Sequence, residues 1–390
     1  MVKISLFAQI ISLIPRNLFA RKVKDHNSDK YNKGIDSWHH LISMLFSQFG
    51  QANSVRDISN GLRSITGNLL HLGCTKAPSK SSVSYVNKHR DYEVFKDFYY
   101  ALLDHLSKQA RFQRKALHRI KRKVYLLDAT VMSLSLSLFD WAKFRSRKGA
   151  VKLHVLLDYD GCLPVFADLT RGNVHEIKVA REMNLPANSI VVFDMGYYDF
   201  SWWNKLDSMG IWFVTRAKDN LAYEVIKDFD VSQERNPGVI SDQNIRLIGP
   251  SSREQYKGIL RRVEYWDEEN GNLLVLLTNN RSWTASTVAD IYKERWGIET
   301  FFKTIKQNLR IKSFVGTSEN AVQIQIWTAL ITILLLTFLK LKATYNWNMS
   351  NLVTFIRLNL FVKIDLWKWI NEPFVRPTNI LSDQLDLFSG

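Results

Sequence analysis

The chain is poor in cysteine, with only Cys74 and Cys162 among 390 residues. Two thiols build neither a disulfide framework nor a cysteine-based zinc cluster, and usage this low fits a reducing compartment. There is no H-E-x-x-H run, and seven of the nine histidines lie outside residues 150–180. Long uninterrupted apolar runs are also scarce. The strongest candidate, Ile326 to Leu339, has 14 residues, three of them threonine. Spanning takes about 20 residues, so a buried core helix is expected and no membrane partner. The apolar run from Ile4 to Phe19 is interrupted by Gln9, Pro15, Arg16 and Asn17 and is followed by no small-residue cleavage site. A secretory signal is therefore not expected. No internal repeat is visible. Acid is in deficit: 37 Asp and Glu stand against 53 Lys and Arg, a net charge of +16. Such an excess favours a polyanionic partner, nucleic acid ahead of an anionic membrane. A hydrophobic share of 46% excludes wholesale disorder, and the length allows two or three domains.

The residues that are present fall into five segments. Residues 1–120 read as a helical domain. Trp38 to Phe49 forms one helix, and Ser54 to Leu62 another with Ser54 as N-cap. Gly61, Gly67 and Gly73 break the stretch after it. Lys80 to Arg90 has the pattern of a short helix with Ser, Tyr, Asn, Lys and Arg on its polar side. Two short helices around a Gly-containing connection can form a DNA-reading unit or a plain bundle. A longer helix runs from Tyr92 to about Ala110. Arg111 to Lys123 then carries seven Lys or Arg and no acid, which suits phosphate contact or simple solvation.

Residues 121–215 alternate in type. Val124 to Thr130 reads as a strand ending at Asp128, and Arg145 to Leu157 as a basic turn feeding a second strand, with Lys152 and His154 on one side. Leu163 to Leu169 is a third strand. A helix over Asn173 to Met183, a strand over Ser189 to Asp194, a helix over Asp199 to Ser208 and a strand over Ile211 to Thr215 complete a mixed α/β sheet with helix cover. Residues 216–282 read as a β-rich insertion. Three strands are expected there: Val239 to Leu247, Gly258 to Trp266 and Leu273 to Thr278. Residues 283–345 return to helix, and 346–390 form a C-terminal helical segment with a polar tail.

Asp128 and Asp194 both stand where an apolar strand stops, a position that points into the crevice of an open α/β sheet. Each alone also suits a turn or a helix cap. The third acid comes later, in Tyr292-Lys-Glu-Arg-Trp-Gly-Ile-Glu-Thr-Phe-Phe-Lys-Thr-Ile-Lys306. Read as one helix, this stretch places Tyr292, Arg295, Glu299 and Lys306 on a single stripe, with Lys303 close by. Ile291, Ile298, Phe302 and Ile305 lie on a separate apolar stripe. The polar stripe suits a metal beside phosphates, with oxygens from Glu299 and cations from Arg295 and Lys306. An ordinary solvated face is the alternative. Three carboxylates and no sulfur favour magnesium, or manganese, over zinc. Two ions about 3.5–4 Å apart would be bridged by Asp128.

The spacing Tyr292, Arg295, Glu299, Lys306 resembles the helix motif of the DDE transposases of the IS4 family, the group of the Tn5 and Tn10 enzymes. Arg295-Trp296-Gly297-Ile298-Glu299, Asp128-Ala129-Thr130, Asp194-Met195-Gly196-Tyr197 and Lys152-Leu153-His154 match its other motifs. The resemblance implies an RNase H-like catalytic domain with a β-rich insertion before the glutamate helix. It implies Asp128, Asp194 and Glu299 as catalytic metal ligands, and Tyr292, Arg295 and Lys306 as phosphate contacts. Lys303 and Lys152 are added as DNA contacts, and Trp296 as a ring that stacks on DNA or packs in the core. Trp202, Trp203, Trp212 and Tyr265 are candidates for holding a flipped base. The partners implied are double-stranded DNA at inverted-repeat ends, target DNA, and a second copy in the DNA complex, in the bacterial cytoplasm at the nucleoid. A structure-selective nuclease without strand transfer and a non-catalytic DNA-binding relative are the competing functions.

Overall fold

A computed structural model describes residues 3–32, 34–65, 69–109, 120–135, 139–145, 148–309, 311 and 313–374. Most of the basic run (111–119), Gly67 and most of the tail lie outside these residues. The chain divides into two compact units, Met1–Ala110 with Asn308–Arg310 and Ile324–Gly390, and Arg111–Gln307 with Ile311–Gln323.

The first unit is helical throughout its described residues. Its N-terminal part holds α1 (Leu6–Ile11), α2 (Arg16–Asp25), α3 (Ser37–Phe49), α4 (Val55–Ser64), α5 (Lys80–His89) and α6 (Glu93–Ser107). Short polar residues start these helices as expected. Asp36 accepts from the His39 amide, Ser54 from that of Asp57, and Ser79 from that of Ser82. Gly61 does not end α4 but sits inside it. A Cβ there would lie 2.4 Å from the Phe46 ring, so the residue is small because α3 and α4 approach closely. Phe46 in turn meets Phe7 edge-on and stacks on Phe361.

The second unit begins with β1 (Val124–Leu134), β2 (Lys143–Arg145), β3 (Lys148–Asp158) and β4 (Leu163–Arg171). There follow α7 (Glu176–Glu182), β5 (Ile190–Phe193), α8 (Phe200–Ser208) and β6 (Trp212–Arg216). Next come β7 (Tyr223–Asp228), β8 (Val239–Leu247), α9 (Pro250–Gln255), β9 (Leu260–Asp267) and β10 (Asn272–Thr278), then α10 (Ala285–Lys293) and α11 (Trp296–Asn308). The chain closes with α12 (Glu319–Lys342), α13 (Met349–Leu358) and α14 (Leu366–Asn371). Among the described residues, α12 alone is long and apolar enough to cross a membrane, but 94% of its most apolar stretch is buried inside the protein.

All ten strands form one mixed sheet in the order β2-β3-β1-β5-β6-β10-β9-β8-β7, with β4 on the free side of β3. β1, β3 and β4 are antiparallel neighbours, while β5 and β6 run parallel to β1. The strands expected as an insertion are continuous with this sheet, because β10 pairs with β6. β7 has no counterpart in the sequence reading. It is an edge strand exposed along almost its whole length, so it lacks the alternating burial that marks a strand.

One face of the sheet is closed by α7, α8 and α9 over a core that includes Leu127, Phe193, Phe213, Trp202 and Trp203. Trp202 and Trp203 are buried, which removes them as base-holding rings. Trp212 carries the Arg122 guanidinium 3.4 Å from its ring centre, and the Tyr265 hydroxyl accepts from Lys293 Nζ at 2.9 Å. Arg122 also donates to the Gly210 carbonyl, and Lys123 pairs with Asp158. Two of the three described cations at the end of the basic run are thus engaged within the unit.

Replacing Gly61 by Ala would raise helix propensity by about 1 kcal/mol at a free site. Here the added methyl overlaps the Phe46 ring, and a net loss of about 1–3 kcal/mol is expected. Chemical denaturation should show it, and Phe46→Leu in the same chain should recover part of the loss.

Candidate active site

The β1–β5 ladder is parallel and ends on the pair Leu127↔Phe193. One residue further lie Asp128 and Asp194. Strands that run parallel in register point equivalent side chains the same way. Leu127 and Phe193 enter the core, so the two aspartates share the opposite face. β1 does not stop at Asp128 as the sequence suggested. It continues to Leu134 against β3, and Asp128 pairs with Val155. The buried apolar run breaks at Asp128 and Ala129, both only half-buried, which hid this continuation.

Asp194 sits in the turn after β5. Its side chain accepts from the Gly196 amide at 2.9 Å. A Cβ at Gly196 would come within 3.0 Å of the same carboxylate oxygen, which explains the glycine in the Asp-Met-Gly-Tyr turn.

The glutamate arrives on two helices rather than one. α10 ends at Lys293, and α11 starts at Trp296. Amides of Arg295, Gly297 and Ile298 bond carbonyls three residues back, a tightened turn that breaks the expected continuous helix. Arg295 lies in this break. One guanidinium nitrogen is 3.5 Å from Asp128 Oδ2 and the other bonds Glu299. Arg295 therefore joins the sheet acid to the helix acid. Tyr292, at the end of α10, is buried and bonded to Arg295.

These positions set the electrostatics. Burial pushes the Asp128 carboxyl up to about 7, and the negative charges of Asp194 and Glu299 add to this. The Ala129 amide and Arg295 oppose the rise without cancelling it. Burial also raises the Tyr292 hydroxyl against the lowering effect of Arg295 and Arg216.

Arg216 escaped the sequence reading, which ended its strand at Thr215. It is two register steps beyond the pair Val192↔Val214, in line with Asp128 and Asp194 across β1, β5 and β6. An apolar strand that stops on a charge is the signal that marked the aspartates, and it applies here too. Tyr197 was also missed as a neighbour. It is buried, and the charges of Asp128, Asp194 and Glu176 join burial in raising its hydroxyl well above the usual range.

The remaining site residues occupy different settings. Trp296 opens α11 and is 70% exposed, so its ring is not in the core. Lys303 is exposed on α11, and Lys306 lies half-buried in its last turn. Lys152 is buried, and its Nζ is held by Glu176 at 2.7 Å and the Val174 carbonyl at 2.9 Å. His154 is buried and meets the Thr170 hydroxyl at 2.9 Å, and burial pushes its imidazole down to about 4.

Among the described residues, no three His, Cys, Asp or Glu side chains stand close enough together to enclose a metal ion. Arg295 fills the gap between Asp128 and Glu299. The donor set still suits a hard divalent cation. It is all carboxylate, and the repulsion that raises Asp128 is what a cation relieves.

A family model described as a transposase DDE domain matches residues 119–335, a span holding Asp128, Asp194 and the whole Tyr292–Lys306 stretch. The chain belongs to the transposase DDE family. A second model, a domain of unknown function (DUF4372), matches residues 2–75. A protein of Sinorhizobium fredii named as transposase y4zB is 32% identical over 262 residues, 67% of this chain and 71% of its own length. One named as the transposase of insertion sequence element IS5377 in Geobacillus stearothermophilus is 28% identical, covering 71% and 72%. One named for element IS4SA in Synechocystis is 24% identical, covering 76% and 82%. A piggyBac transposase synaptic complex with hairpin DNA aligns at 10% identity over 99% of this chain and 83% of that one. Its TM-score is 0.37, too low to carry a conclusion.

The raised Asp128 has a measurable consequence. Its ordinary value is 3.8 and its folded value about 7, so between these pH values the folded chain binds the extra proton. Stability from this group is therefore lost as pH rises from 4 to 7. In chelator at pH 8, Asp128→Asn should be more stable than the parent by about 1–3 kcal/mol, and the gap should close near pH 4. Denaturant titration across this range checks both ends.

Proposed function

We propose that the chain is an insertion-sequence transposase of the IS4 group. It cuts double-stranded DNA at the terminal inverted repeats of its own element and joins the freed 3′ hydroxyls to target DNA. The observation that carries this reading is the register of β1 and β5. It sets Asp128 beside Asp194 inside a matched DDE domain, with Glu299 tied to Asp128 through Arg295. The strand order also supports an RNase H-like core, since β4-β3-β1 is antiparallel and β5 and β6 then run parallel to β1.

In this reading Asp128, Asp194 and Glu299 hold magnesium or manganese. Bound there, the metal supplies a lowered pKa for the attacking water or 3′ hydroxyl and charge stabilisation for the leaving 3′ oxygen. The protein's own groups do the rest. Arg295 neutralises the acids while DNA is absent and turns to the phosphate when it is bound. Arg216 and Tyr292 flank the same phosphate, and Lys303 and Lys306 follow the strand along α11. Trp296, already in solvent, stacks on a base or sugar near the end. Nicking breaks the bond between phosphorus and the 3′ oxygen as water adds to phosphorus. Joining repeats the displacement with the 3′ hydroxyl as nucleophile and a target phosphodiester as acceptor. Lys152, already paired with Glu176, supports the sheet beneath the site rather than reaching DNA. Two element ends need two such sites, so the working form on DNA is a homodimer, acting on the bacterial chromosome in the cytoplasm. Residues 1–120 supply end binding.

Glu299→Gln and Asp194→Asn should each abolish nicking of a labelled element-end duplex in magnesium. Binding of that duplex should change less than about threefold, because neither group contributes a cation to the phosphates. Retained nicking in either variant, at matched folding, would overturn the site. Nicking without transfer of the end to a supercoiled plasmid would instead leave a nuclease.

A further inference from the structure

The helix over Lys80 to His89 takes no part in the catalytic site. In the first unit α5 packs against both α3 and α4, which also pack against each other. Its inward face is Val83, Val86 and Asn87. The opposite face carries Ser81, Ser84, Tyr85, Lys88 and His89, all exposed and none acidic. Tyr85 is 64% exposed, with its ring 4.5 Å from that of His89. Ser84 and Lys88 make no side-chain hydrogen bond or ion pair among the described residues, so their donors are free for a ligand.

This face is held at a fixed rotation. Asn87 Oδ1 meets His40 Nε2 on α3 at 2.6 Å in a fully buried contact. Just past the helix, Arg90 is buried and donates to the carbonyls of Ile35 and Asp36 and to Asp29. Buried polar contacts of this kind add little net stability but select one register, since any rotation of α5 would strand them unpaired. A solvated face needs no such alignment, whereas a reading face does. The loop before α3 runs past the N-terminal half of the helix, where a side chain at Gly34 would touch Ser82 Oγ. That loop exposes Tyr31 with Lys30 5.2 Å above its ring. A cationic, aromatic shoulder beside the helix suits a phosphate backbone.

We infer that α5 enters the major groove of double-stranded DNA and reads base edges there. Ser84, Tyr85 and Lys88 contact bases or groove-edge phosphates, and Lys30 and Tyr31 lie on the flanking backbone. This rests on the transposase reading and names the element of the N-terminal unit that recognises the inverted repeat. The chemistry fits: hydroxyls read either donors or acceptors, lysine prefers guanine, and a helix about 10–12 Å across fits a groove about 12 Å wide. No acid on the face repels phosphate.

The test uses the full chain without divalent cation and selects from a pool of randomised DNA duplexes. The parent should enrich one motif. The double variant Ser84→Ala, Tyr85→Phe, which keeps the helix and its buried face, should bind unselected duplex within about threefold of the parent. It should lose about tenfold or more of its preference for the motif. Lys88→Ala should weaken motif and unselected duplex more evenly and reduce the salt slope by about one. An unchanged motif and preference in the double variant would overturn the assignment. So would a parent that selects no duplex, or one that prefers duplex RNA. The two readings fail separately: a chain that nicks and joins element ends but is indifferent to α5 loses only this inference. A chain that reads DNA through α5 but never cuts in magnesium loses the transposase reading.

Discussion

Two like charges held side by side at the edge of an apolar sheet are the constraint to which the second unit answers. The parallel pairing of Leu127 with Phe193 sets Asp128 and Asp194 one residue beyond the same rung. Their mutual repulsion adds to a burial cost that already opposes ionisation. The surroundings then read as compensation. Ala129 and Gly196 donate backbone amides, one to each acid. The tight turn between α10 and α11 delivers Arg295, and Arg216 closes the row from β6. A straight helix from Tyr292 to Lys306 would place Arg295 only by its angle on the stripe. The break makes it a separate joint between the two helices.

The two units handle buried polarity in different ways. Around Asp128 negative charge gathers, and burial with its acidic neighbours pushes the carboxyl up to about 7. Around His40 the problem is removed instead. Burial and the nearby Arg90 charge push its imidazole down to about 3, so it is neutral and accepts its place beside Asn87 as an uncharged partner. The first arrangement keeps its charge repulsion. The second stores orientation, and costs nothing in charge.

The legible parts of the sequence were those whose physics is local. Val239–Leu247 and the helices capped by Ser54 and Asp199 were set by alternation or by a capping side chain next to them. Asp128, Asp194 and Glu299 stood out in the sequence because an apolar run ends at each aspartate and cations flank the glutamate. The features that were not legible depended on pairing at a distance. The extension of β1 beyond Asp128 is stabilised by β3, not by its own pattern. β7 exists because β8 offers it a ladder, and its outward face carries no apolar signature. Gly61 gave no sign of its packing role because nothing local reveals that Phe46 presses on it. The turn at Glu294–Arg295 contains no proline and only one glycine nearby, and only the contacts of α10 with β6, β9 and β10 show where the first helix must end.

The order of the strands in the chain also sets a schedule. Asp128 and Asp194 come early, while Arg295 and Glu299 arrive only after β7 to β10 have been made. At about 5–20 residues per second on the ribosome, many seconds separate the second aspartate from the glutamate helix. During that interval the nascent sheet carries its repelling acids without their guanidinium, and β6 has not yet gained β10 as a neighbour. The centre of the sheet is therefore completed from its far side. The segment that joins the acids follows the strand that seals the sheet, so a nascent chain acquires its full set of acids only when most of its sheet is already in place.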